Sequence, residues 1–267
     1  MLNGEIEKIT KENIGDIICC PDGLEVRDKN FSCDLSPVLK WKKEMFEYGM
    51  NGLVLYQEGE ATGFVEYMPV EKAPYPIEGK NFGVIMCFHW VSKEDSEDHL
   101  KLEKELLKAA MEEMKKEFNG AAARAWDNPE HFPIDLFKDV GYSKVSFNDH
   151  IYLMWKPFDS TDETPEFIET SFQPEDLSKK GKLAIELGYS NRCPYSIRDR
   201  EKVEDAVSRL NDERIIFHSY EIDRKEKAGK FLRGDWNWLY LNGAKIDHMW
   251  KSREDLEDIV KKKLERL

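Results

Sequence analysis

The stretch from Pro157 to Lys182, PFDSTDETPEFIETSFQPEDLSKKGK, limits the possible folds more than any other feature of this chain. It is rich in proline, hydroxyl and acidic residues and has little apolar periodicity, so a single core does not run through it. A chain of 267 residues is also longer than one average domain and suits two, each burying its own core. The sequence therefore reads as an α/β domain at residues 1–157, a linker at 158–181 and a smaller α/β domain at 182–267. Within the linker, Phe167, Ile168 and Phe172 are candidates to dock on one of the domains.

Both flanks alternate strand and helix patterns. The first opens with a strand at Glu5–Thr10 and a helix near Lys11–Ile18. A helix follows at Ser36–Tyr48, with Ser36 suited to the N-cap, Pro37 to the first turn and Gly49 to the end. GLVLYQ (Gly52–Gln57) and TGFVEYM (Thr62–Met68) flank the turn Glu58-Gly59-Glu60 and predict a hairpin. FGVIMCFHWVS (Phe82–Ser92) has the β-branched and aromatic content of a central strand. Leu100, Leu107, Met111, Met114 and Phe118 recur at helical spacing over 97–118. A strand at Gly120–Trp126, a short helix at Pro133–Val140 and strand character over Tyr142–Trp155 complete this flank. The second flank predicts a strand at Leu183–Leu187, a helix at Tyr195–Leu210 and a strand at Arg214–Ile222. A hairpin then turns at Asn242-Gly243, and Ser252 and Asp255 form a capping box for a last helix.

Charge narrows the partners. The net charge is −13 with a pI of about 5.1, a surface that repels nucleic-acid phosphates and anionic lipid. The start of the chain lacks the basic and apolar regions of a signal peptide, and no apolar run approaches about 18 residues. Cys19, Cys20, Cys33, Cys87 and Cys193 make an odd count without metal-binding spacing, which predicts reduced thiols, a cytoplasmic location and no metal site.

The hairpin NGLVLYQEGEATGFVEYMP, the strand FGVIMCFHWVS and the run PIDLFKDVGYSKV closing at IYLMWK together resemble the GNAT superfamily of N-acetyltransferases. The likeness covers most of residues 1–157. With the later GYSNRCPYS, it extends to the YoaP-type group, in which a thioredoxin-like domain follows the GNAT domain. It implies a mixed sheet in which two parallel strands, Met86–Ser92 and Gly120–Trp126, splay apart to take the amide arm of acetyl-CoA. The pyrophosphate is then expected on the N-terminus of the next helix. Carried onto this chain, the cofactor-binding residues are Phe88, His89, Trp90, Val91, Ser92, His99, Lys101 and Asn128. The implied activity is acetyl transfer to a small amine or a peptide amine.

The chemistry-bearing residues each have two readings. Glu66 is a base for the amine if desolvated, or an outward residue on a half-exposed strand. His89 is a base or water holder, or a satisfied strand histidine. Trp41, Phe46, Tyr67, Trp90 and Trp126 are acceptor-pocket or core aromatics. Where the family carries a glycine-rich basic turn, Lys93–Leu107 has no glycine and several carboxylates. Phe137 stands where a proton-donating tyrosine is frequent. Both features favour a rival reading, a GNAT fold that binds a ligand without catalysis.

Leu183–Ser196, LAIELGYSNRCPYS, resembles the first strand and active-site turn of thioredoxin-like proteins. At a helix start, Cys193 is expected to have a lowered pKa, reinforced by Arg192. Ser196 replaces a resolving cysteine, which leaves monothiol chemistry at Cys193 as a third reading and a binding scaffold as its alternative.

Overall fold

The structure is a computed structural model that describes residues 4–18, 34–90, 97–127, 132–148, 150–160, 163–231, 237–248 and 251–267. It divides into two compact units, Met1–Ile168 and Glu169–Leu267. Among the described residues, no helix is long and apolar enough to cross a membrane.

The first unit is mixed α/β. It begins with β1 (Glu5–Lys8). The helix expected next is only a 3-10 turn at Ile14–Ile17. Asn13 Oδ1 accepts from the Thr10 N–H at 2.6 Å and Thr10 Oγ1 from the Glu12 N–H at 3.2 Å, so side chains take groups an α-helix would use. Helix α1 (Ser36–Tyr48) has Ser36 as its first residue rather than its cap, because Asp34 accepts from both the Ser36 N–H and its hydroxyl, at 2.9 and 2.7 Å. Gly49, at φ 117°, ends the helix in the left-handed region that glycine tolerates best.

Strands β2 (Asn51–Gln57) and β3 (Glu60–Pro69) form the hairpin, turned by Glu58 and Gly59 at φ 53° and 84°. The remaining elements are β4 (Ile77–Glu78), β5 (Gly83–Trp90), α2 (Glu97–Met114), β6 (Gly120–Trp126), α3 (Ile134–Asp139), β7 (Ser143–Asn148), β8 (Ile151–Pro157) and β9 (Glu166–Phe167). The seven-stranded sheet has the order β1-β2-β3-β5-β6-β8-β7. Its neighbours are antiparallel except β5 and β6. Lys42 of α1 reaches Phe64 and Glu66 of β3, which places α1 on one face. A Cβ on Gly83 would lie 2.4 Å from Met114 and 3.1 Å from Phe118, so α2 and the residues after it pack closely on the other face.

The second unit has β10 (Leu183–Tyr189), α4 (Pro194–Leu210), β11 (Ile215–Glu221), α5 (Lys225–Phe231), β12 (Trp238–Leu241), β13 (Ala244–Ile246) and α6 (Arg253–Leu264). Its sheet order is β11-β10-β12-β13, with β10 and β11 parallel and the other pairs antiparallel. Asn242 and Gly243 turn the last hairpin at φ 45° and 77°. Ser252 and Asp255 cap α6 reciprocally, a device worth about 1 kcal/mol. Leu183, Ile185 and Leu187 alternate onto one face of the sheet, against Val203 and Ala206 of α4 and Leu256, Val260 and Leu264 of α6. On the other face Phe172, Trp238 and Tyr240 cluster with Tyr220 and Phe231.

Residues 158–181, read from the sequence as a linker, are divided between the units. Phe167 pairs with Ile77 in a two-stranded ladder of the first unit. Phe172 stacks on Trp238 of the second at 4.8 Å between ring centroids. The Glu175 N–H donates to Glu186 at 2.7 Å, and the Leu177 N–H to Asn242 at 3.2 Å. Phe167 and Phe172, expected to dock, thus each find a partner within one unit, whereas the backbone partners of Glu175 and Leu177 are not legible in a polar composition.

Candidate active site

The central feature of the first unit is a gap between its two parallel strands. The ladder between β5 and β6 consists of Gly83↔Ala121 and Val84↔Ala122. Beyond Val84, β5 continues to Trp90 and β6 to Trp126 without a further ladder step between them. The opposite edges stay fully engaged: β5 pairs with β3 as far as Gly63↔Trp90 and β6 with β8 as far as Trp126↔Ile151. The two strands therefore diverge as rigid members of two half-sheets. A bulge contributes, because Tyr67 opposes Ile85 while Glu66 opposes Cys87, leaving Met86 as the extra residue. At the far end the Trp126 N–H donates to the Phe132 carbonyl at 3.1 Å. Rings gather there: Phe132 meets Phe88 edge-on at 6.5 Å and Trp126 at 5.7 Å.

Glu66 lies on β3 beside this bulge and is wholly buried, at 0% exposure, so the outward reading does not hold. Its Oε1 pairs with the ammonium of Lys42, itself 2% exposed. Lys42 Nζ also lies 4.8 Å from the centroid of the Phe64 ring. Among the described residues, Glu66 Oε2 is buried without a protein partner. A desolvated acceptor left unmatched costs about 1–3 kcal/mol, so this oxygen calls for a further donor. Two further polar side chains lie toward the gap. Arg124, 3% exposed, stacks 3.7 Å from the centroid of the Tyr75 ring and 5.3 Å from that of Trp126. The Tyr75 hydroxyl donates to the Met86 carbonyl at 2.6 Å.

The sequence-expected residues scatter around this arrangement. Phe88 lies on the divergent part of β5, 7% exposed. His89 and Trp90 end that strand, opposite Phe64 and Gly63, and their side chains lie outside the described residues. Val91, Ser92 and Asn128 lie wholly outside them, as does the expected phosphate turn at Lys93–Ser96. His99 falls in the first turn of α2, side chain undescribed, and Lys101, two residues on, is exposed. Phe137 is fully buried, stacked on Phe132 at 6.4 Å and edge-on to Tyr142 at 5.3 Å.

Lys42, Tyr75 and Arg124 were missed by sequence reasoning, and each carries a legible signal. Lys42 interrupts the apolar stripe Val38, Trp41, Met45 of α1. Arg124 is the one charge in GAAARAW. Tyr75 is bracketed by prolines in APYPI.

In the second unit Cys193 is the N-cap of α4 and Pro194 its first residue. The expectation of a lowered pKa is reversed. Burial pushes the thiol up, against the smaller opposing pulls of the Ser196 N–H, the Arg192 charge and the Tyr195 N–H. Ser196 takes a structural role, its hydroxyl oxygen accepting from the Ser190 N–H at 2.8 Å. Nearby, Asn237 links two buried titratable groups, donating to Asp199 at 3.1 Å and bonding His248 Nε2 at 3.0 Å. Burial raises the Asp199 carboxyl and lowers the His248 imidazole below its ordinary 6.5. A histidine with a depressed folded pKa loses stability for the fold as pH drops below its unfolded value, since only the unfolded chain then gains the proton. Raised carboxyls act in the opposite sense, so the imidazole is isolated by difference. His248→Asn should reduce the fall in unfolding free energy as pH drops below about 6.5, measured by urea denaturation of both proteins. Identical pH slopes for the two would refute the assignment.

Fold and gap together place the first unit among mixed α/β architectures with a divergent parallel strand pair, and the chain is similar to known N-acetyltransferases. In particular, it is 26% identical over 234 residues to YoaP, an uncharacterised N-acetyltransferase of Bacillus subtilis (strain 168), covering 84% of each chain. Similar solved structures include the PaiA N-acetyltransferase from Thermoplasma acidophilum in complex with coenzyme A (13% identity, 58% of this chain and 99% of that one, TM-score 0.42). Another is the aminoglycoside 6'-N-acetyltransferase from Enterococcus faecium (13% identity, 59% and 98%, TM-score 0.44). No protein-family model matches the chain.

Proposed function

We propose that the first unit is an acyl-CoA-dependent N-acetyltransferase acting on a small amine or a peptide amine. The observation that carries the reading is the abrupt end of the β5–β6 ladder at Val84↔Ala122. Strand edges with open backbone groups are matched by an extended ligand rich in amides, and the pantetheine arm of acetyl-CoA is one. The similarity to YoaP supports the same class. In the reaction the amine nitrogen attacks the thioester carbonyl carbon and the C–S bond breaks. The amine loses a proton and the thiolate leaves as coenzyme A. Glu66 is the base this geometry favours, because its Oε2 is buried, unpartnered and beside the bulge of β5. Phe137 offers no proton to the leaving sulfur, which leaves that step to solvent or another group.

A second reading, ligand binding without acetyl transfer, draws on Phe137 and on the glycine-free start of α2. Titration calorimetry with acetyl-CoA decides the first point: saturable heat is expected, and no heat at millimolar ligand would end the transferase reading. Single-turnover assay of acetyl transfer to a panel of amines then separates enzyme from binder.

For the second unit the reading is a thioredoxin-like scaffold. Its support is the element order β-α-β-α-β-β-α with β10 central beside parallel β11 and antiparallel β12. The raised Cys193 thiol argues for a binding or packing role over monothiol chemistry. A thiol-labelling rate that rises only well above the free-thiol range of pH agrees with this.

A further inference from the structure

We propose that Tyr75 is a positioning residue, a strut across the gap that fixes the separation of β5 and β6 and so pre-forms the bed for the ligand. The identity of that ligand rests on the acetyl-CoA reading; the strut itself does not.

Three observations carry it. First, Tyr75 touches both strands at the first step beyond their last ladder pair. Val84 pairs with Ala122, and two residues further along each strand stand Met86 and Arg124. The Tyr75 hydroxyl donates to the Met86 carbonyl at 2.6 Å and its ring lies 3.7 Å from the Arg124 guanidinium carbon. Side chains two apart share a strand face, so Arg124 follows Ala122 there, and Ala121, Ala123 and Ala125 turn the other way. Second, the strut is stiff. Tyr75 sits between Pro74 and Pro76, which fix two backbone φ angles and hold Tyr75 itself in the extended region. Tyr75 is 2% exposed. Third, it is braced from behind. The Pro76 carbonyl accepts from the Ile168 N–H at 2.8 Å, and the next residues pair as Ile77↔Phe167 and Glu78↔Glu166.

These features do together what neither strand does alone. A ligand that inserts between two edges needs both at a fixed spacing, and a gap already held at that spacing spares the ligand the cost of ordering it. The Met86 carbonyl, displaced by the bulge, is satisfied by Tyr75 at that spacing. The short β4–β9 ladder acquires a purpose, since it anchors the segment that carries the strut.

The test uses the full chain. Tyr75→Phe keeps the ring against Arg124 and removes only the hydroxyl; Arg124→Met keeps bulk and removes the stacked cation. Two readouts are taken, coenzyme A affinity by calorimetry and amide hydrogen exchange of Ile85–Phe88 and Arg124–Trp126 in the ligand-free protein. Tyr75→Phe should weaken coenzyme A by about tenfold, the worth of one well-placed hydrogen bond. It should speed exchange in those two segments while β2 and β8 exchange as before. In turnover, kcat/KM for acetyl-CoA should fall by a similar factor at an unchanged KM for the amine, a split that general destabilisation does not produce. Unchanged exchange in both variants overturns the strut, whatever the ligand does. Should the unmodified protein ignore coenzyme A while Tyr75→Phe still loosens both strands, the strut stands and the transferase reading falls.

Discussion

Replacing Lys42 with Met should destabilise the first unit by about 3–5 kcal/mol, one of the largest effects expected of any single substitution here. The Glu66 carboxylate is 0% exposed and Lys42 supplies the cation beside it. Methionine leaves that charge buried without the lysine that balances it. Urea denaturation gives the cost directly, and in a unit of this size it lowers the melting temperature by roughly 10 °C. The double variant Lys42→Met/Glu66→Gln should recover most of the loss, because an uncharged pair of similar volume needs no desolvation repaid. A Lys42→Met protein as stable as the parent would show that the pair is not buried as described.

The second expectation concerns rate. Glu66→Gln should lower kcat for acetyl transfer by about 10²–10⁴-fold, the usual contribution of a positioned general base. The amide fills the same volume but accepts no proton. Glu66→Gln also leaves the Lys42 ammonium facing a neutral group, so a fall in activity could be mistaken for a fall in folded protein. The double variant removes this ambiguity. If Glu66 is the base, Lys42→Met/Glu66→Gln regains stability and stays inactive. If Glu66 only packs, the double variant regains both. Steady-state kinetics on the three proteins, at temperatures where each is folded, distinguish these outcomes.

The contrast between Glu66 and Lys42 shows where sequence reasoning stops. Glu66 was identifiable as a candidate because it sits in an alternating strand of a recognisable hairpin. Its burial was not legible, because TGFVEYM has the alternation of a half-exposed strand, whereas β3 turns out to be covered on both faces from Gly63 to Met68. Lys42 is not singled out by the sequence reading, since a lysine in a Lys-Lys-Glu run is usually solvated. That it is the counter-ion of Glu66 depends on two residues 24 apart in the chain meeting across a helix–sheet interface. Cys193 makes the opposite point. A helix start does favour a thiolate, and the backbone N–H groups of Ser196 and Tyr195 pull in that direction, but burial outweighs them.

The linker is a third case. Its composition signals a break between cores, and the two compact units are Met1–Ile168 and Glu169–Leu267. Composition is blind to backbone pairing, however, and so could not show that Glu166 and Phe167 complete a ladder with β4.

By itself the sequence determined what is local: the helix α1 ending at Gly49, the hairpin turns at Glu58-Gly59 and Asn242-Gly243, the capping box of α6, and the longer strands and helices of both units. These follow from backbone propensity and apolar period, which act within a few residues. Only the tertiary structure decided how the parts meet. It stopped the β5–β6 ladder after two steps, buried the Lys42–Glu66 pair, left Glu66 Oε2 without a donor and set Tyr75 between Met86 and Arg124. The physical reason is that desolvation and hydrogen-bond satisfaction are properties of a closed interior, fixed by every chain segment that covers the group and by none of them alone.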